Sequence, residues 1–217
     1  GTSGSAPEGG PAGRDPAVRP QPVTAPGVTF PDLSGHADRV AVEALAARGI
    51  ITGGDDGLFR PDGAMTRAEF ATIVVRALGL AVGPLGGEAV FSDVAPEAWY
   101  APYVDVAYRR GIVSGVGDGK FRPDGTLSRQ EAAVMVVRAA GLCGLDTALD
   151  AAAVRSLLAS FSDYVTTAAW ARESLAFCYQ ENILDPSDLA IRPAEAIRRC
   201  EVAQMLFRML DRAELLV

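Results

Sequence analysis

Three arginines stand where a helix would not choose to have them. Arg67, Arg129 and Arg199 each follow the cap position of a helix-opening sequence: Thr66-x-x-Glu69, Ser128-x-x-Glu131 and Arg198-x-x-Glu201. The first two are capping boxes, in which a hydroxyl accepts one orphan amide and a carboxylate reaches back to another. A cation directly behind the cap faces the positive end of the helix dipole, at a cost of roughly a few tenths of a kcal/mol. Finding it three times at one aligned position implies a compensating partner. An acid of a neighbouring unit would serve, and so would a bound anion. A guanidinium fork beside free first-turn amides suits a carboxylate.

Other residues recur around these arginines. Each unit opens on Phe-x-Asp, which supplies Asp32, Asp93 and Asp163 as turn-capping acids or ligand contacts. Trp99 and Trp170 fall early in the first helix of the second and third units, as core rings or as platforms for a sugar; Ala37, beside His36, takes that place in the first. The Gly-rich segments Thr52–Gly57 and Ser114–Gly119 require tight turns, with Gly53 and Gly115 near their starts. Lys120, at the end of the second turn, is a second candidate cation, or simply a solvated one. The candidate ligand-binding set is therefore Arg67, Arg129, Arg199, Asp32, Asp93, Trp99, Gly53, Gly115 and Lys120.

These residues belong to a unit of sequence written three times. Phe30-Pro31-Asp32 leads to Phe59-Arg60-Pro61-Asp62-Gly63 and Met65-Thr66-Arg67-Ala68-Glu69. Phe91-Ser92-Asp93 leads to Phe121-Arg122-Pro123-Asp124-Gly125 and Leu127-Ser128-Arg129-Gln130-Glu131. A decayed copy passes from Phe161-Ser162-Asp163 through Ile191-Arg192-Pro193 to Ile197-Arg198-Arg199-Cys200-Glu201. Each reads helix, turn, helix. The first helices span about Val40 to Arg48 and Tyr103 to Arg110, closed by Gly49 and Gly111; Asn182 closes the third. The second helices carry apolar stripes such as Phe70, Ile73, Val74, Ala77 and Leu78. Such a pair buries little alone, so the units must share a core. The expected fold is mostly α: three helix-loop-helix repeats in a pseudo-threefold bundle. Its divisions are a flexible Gly/Pro-rich linker over 1–29, repeat 1 over 30–80, a linker over 81–90, repeat 2 over 91–142, a linker with room for a short helix over 143–160, and a degenerate repeat 3 over 161–217.

Bulk properties exclude several functions. The formal net charge is −7 in 217 residues, against general binding of nucleic acid or anionic membranes. No apolar run is long enough to insert in a membrane, and residues 1–29 have no signal-peptide pattern. Three cysteines make a poor disulfide framework. Cys178 lies in an apolar column and should be a buried thiol; Cys143 falls in a linker, and the column of Cys200 does not demand sulfur. With one histidine, His36, a catalytic cysteine lacks its usual base. No metal-ligand cluster, cofactor motif, nucleophile elbow or distinct acid/base pair is visible, and the aspartates around residues 55–62 miss calcium-loop spacing. These observations favour a binding module over an enzyme.

The ordered sub-motifs Phe-x-Asp, Gly-Ile-x-x-Gly, Asp-Gly-x-Phe-Arg-Pro-Asp-Gly and Thr-Arg-Ala-Glu closely resemble the surface-layer homology repeat, over about residues 30–214. The resemblance implies a three-repeat unit with grooves between repeats, which anchors a secreted or S-layer protein non-covalently to the bacterial cell wall. The implied location is extracellular, at the wall. The implied partner is a secondary cell wall polymer, an acidic glycan with ketal-linked pyruvate, held in part by the arginine of Thr-Arg-Ala-Glu. That points to Arg67 and Arg129 first and Arg199 after them. Copy one lacks the tryptophan and copy three lacks the Gly-Asp-Gly turn, so at most two grooves are expected to bind, with copy three largely structural. The alternative is a protein-interaction module of the envelope in which the arginines join repeats.

Overall fold

The computed structural model describes residues 13–85 and 89–217. Among these residues the structure is helical, with no strand longer than an isolated bridge. Repeat 1 supplies α1 (Arg39–Ala47) and α2 (Arg67–Ala77); repeat 2 supplies α3 (Ala101–Arg109) and α4 (Arg129–Leu142). After α5 (Ala151–Leu158), repeat 3 supplies α6 (Arg172–Gln180) and α7 (Arg199–Arg212).

Capping chemistry sets these boundaries. Thr66 and Ser128 accept the amides of Glu69 and Glu131, and the Glu131 carboxylate returns to the Ser128 amide at 3.1 Å. Arg198 cannot cap in this way, yet Glu201 still accepts its amide at 3.2 Å. The first helices end on left-handed residues: Gly49 at φ 71°, Gly111 at 73° and Asn182 at 57°.

The second helix of each repeat packs on the first helix of the next. α2 lies against α3, α4 against α6, and α7 returns to α1. The contacts therefore close a cycle. Short antiparallel bridges accompany it: Thr66 pairs with Thr126, Ser128 with Ala196, and Ala64 with Arg198. One core results, filled from all three repeats by Phe59, Phe70, Phe121, Ile112, Leu175 and Leu206 among others.

Beside each junction the chain takes a strained turn. Arg60, Arg122 and Arg192 have φ of 59°, 58° and 51°, a region costly for a residue with a side chain. Asp32, Asp93 and Asp163 hold that turn. Asp32 accepts the amides of Phe59 and Arg60 at 3.0 and 2.7 Å, Asp93 those of Phe121 and Arg122 at 2.8 Å each, and Asp163 those of Ile191 and Arg192 at 2.9 and 2.8 Å. The leading acid of each repeat thus clamps a turn nearly thirty residues downstream, and not the entry to its own first helix.

Two other expectations need correction. Of the stretch 1–29 expected to be a flexible linker, residues 1–12 lie outside the described residues, but 13–29 run across the helix ends. The amides of Asp15, Arg19 and Thr24 donate to the carbonyls of Leu142, Leu78 and Ala47 at 2.8, 2.8 and 2.9 Å, and Arg14 reaches Ala213. These are the orphan acceptors at the ends of α4, α2, α1 and α7. Val18 enters the core, and Gly79 is glycine because a Cβ there would lie 2.4 Å from the Arg19 carbonyl oxygen. Cys143 is likewise no loop residue: it is the C-cap of α4, and all three cysteines are buried and free. Of the linker over 81–90, residues 86–88 lie outside the described residues.

A chain beginning at Phe30 should be less stable than one beginning at Gly13 by about 2–4 kcal/mol, from the lost burial of Val18 and the exposed carbonyls. Chemical denaturation of the two chains measures this.

Candidate functional site

The three cap-following arginines occupy equivalent places at the three junctions. Arg67 donates from Nε to the Phe121 carbonyl at 2.8 Å, from Nη1 to Glu131 at 3.1 Å and from Nη2 to the Ser114 carbonyl at 3.0 Å. Arg129 donates from Nε to the Ile191 carbonyl at 2.9 Å and forms ion pairs with Glu201 and, at 3.6 Å, Asp188. Arg199 donates from Nε to the Phe59 carbonyl at 3.0 Å and from Nη1 to Glu69 at 2.6 Å. Every arginine therefore meets the N3 glutamate of the next repeat's second helix. That carboxylate offsets the unfavourable dipole position across the junction. Arg67 and Arg199 also stack over the rings of Phe121 and Phe59 at 4.8 and 5.1 Å; Ile191 offers Arg129 no such face.

The first-turn amides are not free either. Arg67 and Ala68 donate to the carbonyls of Gly125 and Pro123 at 2.9 and 3.0 Å, Arg129 and Gln130 to Glu195 and Pro193 at 2.9 Å each, and Arg199 and Cys200 to Gly63 and Pro61 at 2.8 and 2.9 Å. The expected pairing of a guanidinium with vacant amides is thus replaced at all three junctions by backbone pairing with the next repeat.

Access then separates the three. The side chains of Arg67 and Arg129 are 5% and 2% exposed, against 17% for Arg199. Burial pulls the Arg67 and Arg129 guanidinium groups below their usual range; Glu131 opposes this at Arg67, whereas Arg192 adds to it at Arg129. Arg199 opens instead onto a groove of about 590 Å³. The groove runs between Gly53 and Gly54 of repeat 1, Trp99 of repeat 2 and Arg199 of repeat 3. Arg60, Arg76 and Arg199 line it with Glu69; Arg199 pairs with Glu69, and Arg60 pairs with Asp56 beside the groove. Trp99 is 60% exposed and stands edge-on to Tyr100 with ring centroids 5.4 Å apart.

The remaining candidates divide between groove and scaffold. Gly53 lines the groove, but its lack of a side chain is demanded by Phe30, whose ring would lie 2.6 Å from a Cβ; Phe91 makes the same demand of Gly115 at 2.8 Å. Asp32 and Asp93 spend both carboxylate oxygens on backbone amides. Burial opposes their ionisation, but the paired amides outweigh it and hold both below the usual carboxylate range. Lys120 is exposed at its turn, where its charge favours the Asp93 carboxylate, and it does not line the Arg199 groove. Repeat 3 has a smaller recess of about 170 Å³ in which Asp188 faces Arg129, Arg192 and Arg208. Burial raises the Asp188 carboxyl above its usual range.

Arg76 was not among the sequence candidates. It sits one face along α2 from the junction, with its guanidinium over the Tyr103 ring at 5.1 Å. A signal existed: Arg76, Arg138 and Arg208 form a second arginine column, nine residues after the first in every copy.

The fold is thus a closed helical array of repeats with a tryptophan-edged groove beside the junction of repeats 3 and 1. The S-layer homology domain family matches residues 29–71 and 90–133, and the chain carries S-layer homology domains. Over 85% of its length the chain is 30% identical to the surface-layer 125 kDa protein of Lysinibacillus sphaericus, covering 15% of that protein. Over 85% it is also 28% identical to the S-layer protein sap of Bacillus anthracis, covering 22% of it, and 30% identical to an amylopullulanase of Thermoanaerobacterium thermosulfurigenes, covering 10% of it. The chain thus spans less than a quarter of the length of these curated relatives.

Two predictions follow from the junction chemistry. Arg67→Ala should lower stability by about 1–3 kcal/mol, below the full cost of breaking a buried pair because Glu131 is partly exposed; urea unfolding measures it. Asp32 and Asp93 bind protons less readily in the folded chain than in the unfolded one. Their contribution is therefore fully present above the unfolded value of about 4 and is lost as pH falls below it through the lowered folded value. Asp93→Asn should flatten this acid limb in a pH series of thermal unfolding.

Proposed function

We propose that this chain is a non-enzymatic anchoring module that holds its polypeptide at the bacterial cell surface by binding an acidic wall glycan, with the groove between Gly53, Trp99 and Arg199 as the binding site. One observation carries the reading: three guanidinium groups, set against Glu69 and Asp56, and an exposed tryptophan border a groove on a chain of net charge −7. A local cationic cleft in an acidic surface selects a ligand with a localised negative group. A carboxylate fits the planar fork of arginine, and the Trp99 face suits the apolar side of a sugar ring. A ketal-linked pyruvate on an amino sugar combines both features.

Surface-layer relatives support the location. The match to an amylopullulanase covers 10% of that enzyme, so it bears on a shared module and not on catalysis. On this reading Arg67 and Arg129 act as junction residues, and Arg199 with Arg76 contacts the ligand. The repeat 3 recess is smaller, and Asp185, Asp188 and Glu201 line it against its arginines, so it is not assigned a ligand. A protein-docking module of the envelope is the second reading, favoured by the burial of Arg67 and Arg129 within junctions.

Sedimentation with isolated cell walls distinguishes them. Arg76→Ala and Trp99→Ala should each weaken binding about 5- to 50-fold while leaving the unfolding midpoint within about a degree or two, as expected for one lost charge-assisted or aromatic contact in a groove. Walls stripped of their secondary polymer should not retain the chain. Undiminished binding to stripped walls, or by both variants, overturns the glycan reading.

A further inference from the structure

Where repeat 3 meets repeat 1, the structure gathers His36, Asp62 and Cys200, with one potential ligand atom from each lying within 4.8 Å of the others. No spacing in the sequence announces this group. His36 precedes α1, Asp62 lies in the turn before α2, and Cys200 is the second residue of α7. They meet only because the array closes on itself.

We propose that these three side chains form a binding site for a thiophilic divalent cation of the zinc class, which clamps the last repeat to the first. The donor set decides the class. One thiolate, one imidazole and one carboxylate match zinc and disfavour calcium or magnesium, which take oxygen donors. Tetrahedral zinc with bonds of about 2.0–2.3 Å sets its ligand atoms about 3.4–3.7 Å apart, so the observed cluster needs only a small contraction.

The backbone largely fixes the ligands beforehand. The Cys200 amide donates to the Pro61 carbonyl at 2.9 Å, so the residue before Asp62 is tied to the residue carrying the thiol. The His36 amide donates to the Leu33 carbonyl at 2.9 Å, and Nδ1 accepts the Asp38 amide at 3.0 Å. A metal displaces or re-tautomerises that last bond, at the modest cost of one neutral hydrogen bond. The thiol proton leaves to solvent on binding. Asp38 also lies beside the thiol, while Arg198 pairs with Asp62 at 3.0 Å. With the thiolate formed, Asp38, Asp62 and Cys200 face only Arg198, which is itself shared with Glu201, so a dication is favoured there. Exposed Asp62 and half-buried His36 give the ion its entry, whereas Cys200 is 1% exposed and closed to a substrate. The aligned partners of Cys200 are Ala68 and Gln130, so the same ligand set does not recur at the other two junctions.

The test uses the chain after EDTA treatment, titrated with Co²⁺ and with Zn²⁺. One Co²⁺ per chain should give a near-ultraviolet thiolate charge-transfer band, and Zn²⁺ should raise the unfolding midpoint. Cys200→Ala keeps the residue that repeat 1 tolerates at this position; it should fold, lose the band and lose the zinc-dependent shift. His36→Ala and Asp62→Asn should each bind Zn²⁺ at least tenfold more weakly. Absence of the thiolate band in the parent, or a zinc-dependent shift that survives in both Cys200→Ala and His36→Ala, overturns the site.

Discussion

The ion pair that joins each repeat to the next is the constraint on which the rest of the structure depends. An arginine at the first position of one second helix reaches the glutamate at the third position of another. Each residue corrects a local defect in the other's environment. The arginine faces an adverse helix dipole, and the glutamate, which at Glu131 and Glu201 also caps its own helix, is drawn partly out of water. Joined across the junction, they set helix termini side by side and line up the amides and carbonyls that form the backbone bridges. Because each repeat both gives and receives, the chain closes, and a core forms that no single helix pair could bury.

Equivalence of position does not make the junctions equal. Phenylalanine beneath Arg67 and Arg199 becomes Ile191 beneath Arg129, and Asp188 pairs with Arg129 there at 3.6 Å. The second repeat buries Arg67 almost completely. Among the described residues, only the junction closing repeat 3 onto repeat 1 combines a partly accessible arginine, a glycine-lined wall and a neighbouring tryptophan. The repeat with the most decayed sequence therefore contributes Arg199, the central residue of the proposed glycan site. Its decay reaches the cap of α7, where Arg198 replaces Thr or Ser, but that helix keeps the Arg199 that the groove requires.

Much of this was legible in the sequence. Helical periodicity, capping boxes and left-handed closers gave the helix pairs to within a residue or two, and the repeated Arg-x-Glu spacing identified a compensated charge. Which of the two open partners compensated it was not legible, since Glu131 and Arg67 are 64 residues apart and meet only in the closed array. The same limit hid the downstream role of Asp32, the embrace of the helix ends by residues 13–29, and the meeting of His36 with Cys200. Gly and Pro content suggested a free linker because composition records the lack of helical periodicity and not the presence of waiting carbonyl acceptors. Arg76 was passed over because it breaks no local rule: a cation late in a helix is where the dipole favours it.

The central claim is a division of labour, with Arg67 and Arg129 holding the array together and Arg199 and Arg76 meeting the glycan. Side-chain NMR of the arginine Nε–Hε groups, followed while a pyruvylated wall-glycan fragment is added, tests it most directly. The account predicts saturable shifts for Arg199 and Arg76 with Arg67 and Arg129 unmoved. Shifts confined to Arg67 and Arg129 would contradict it.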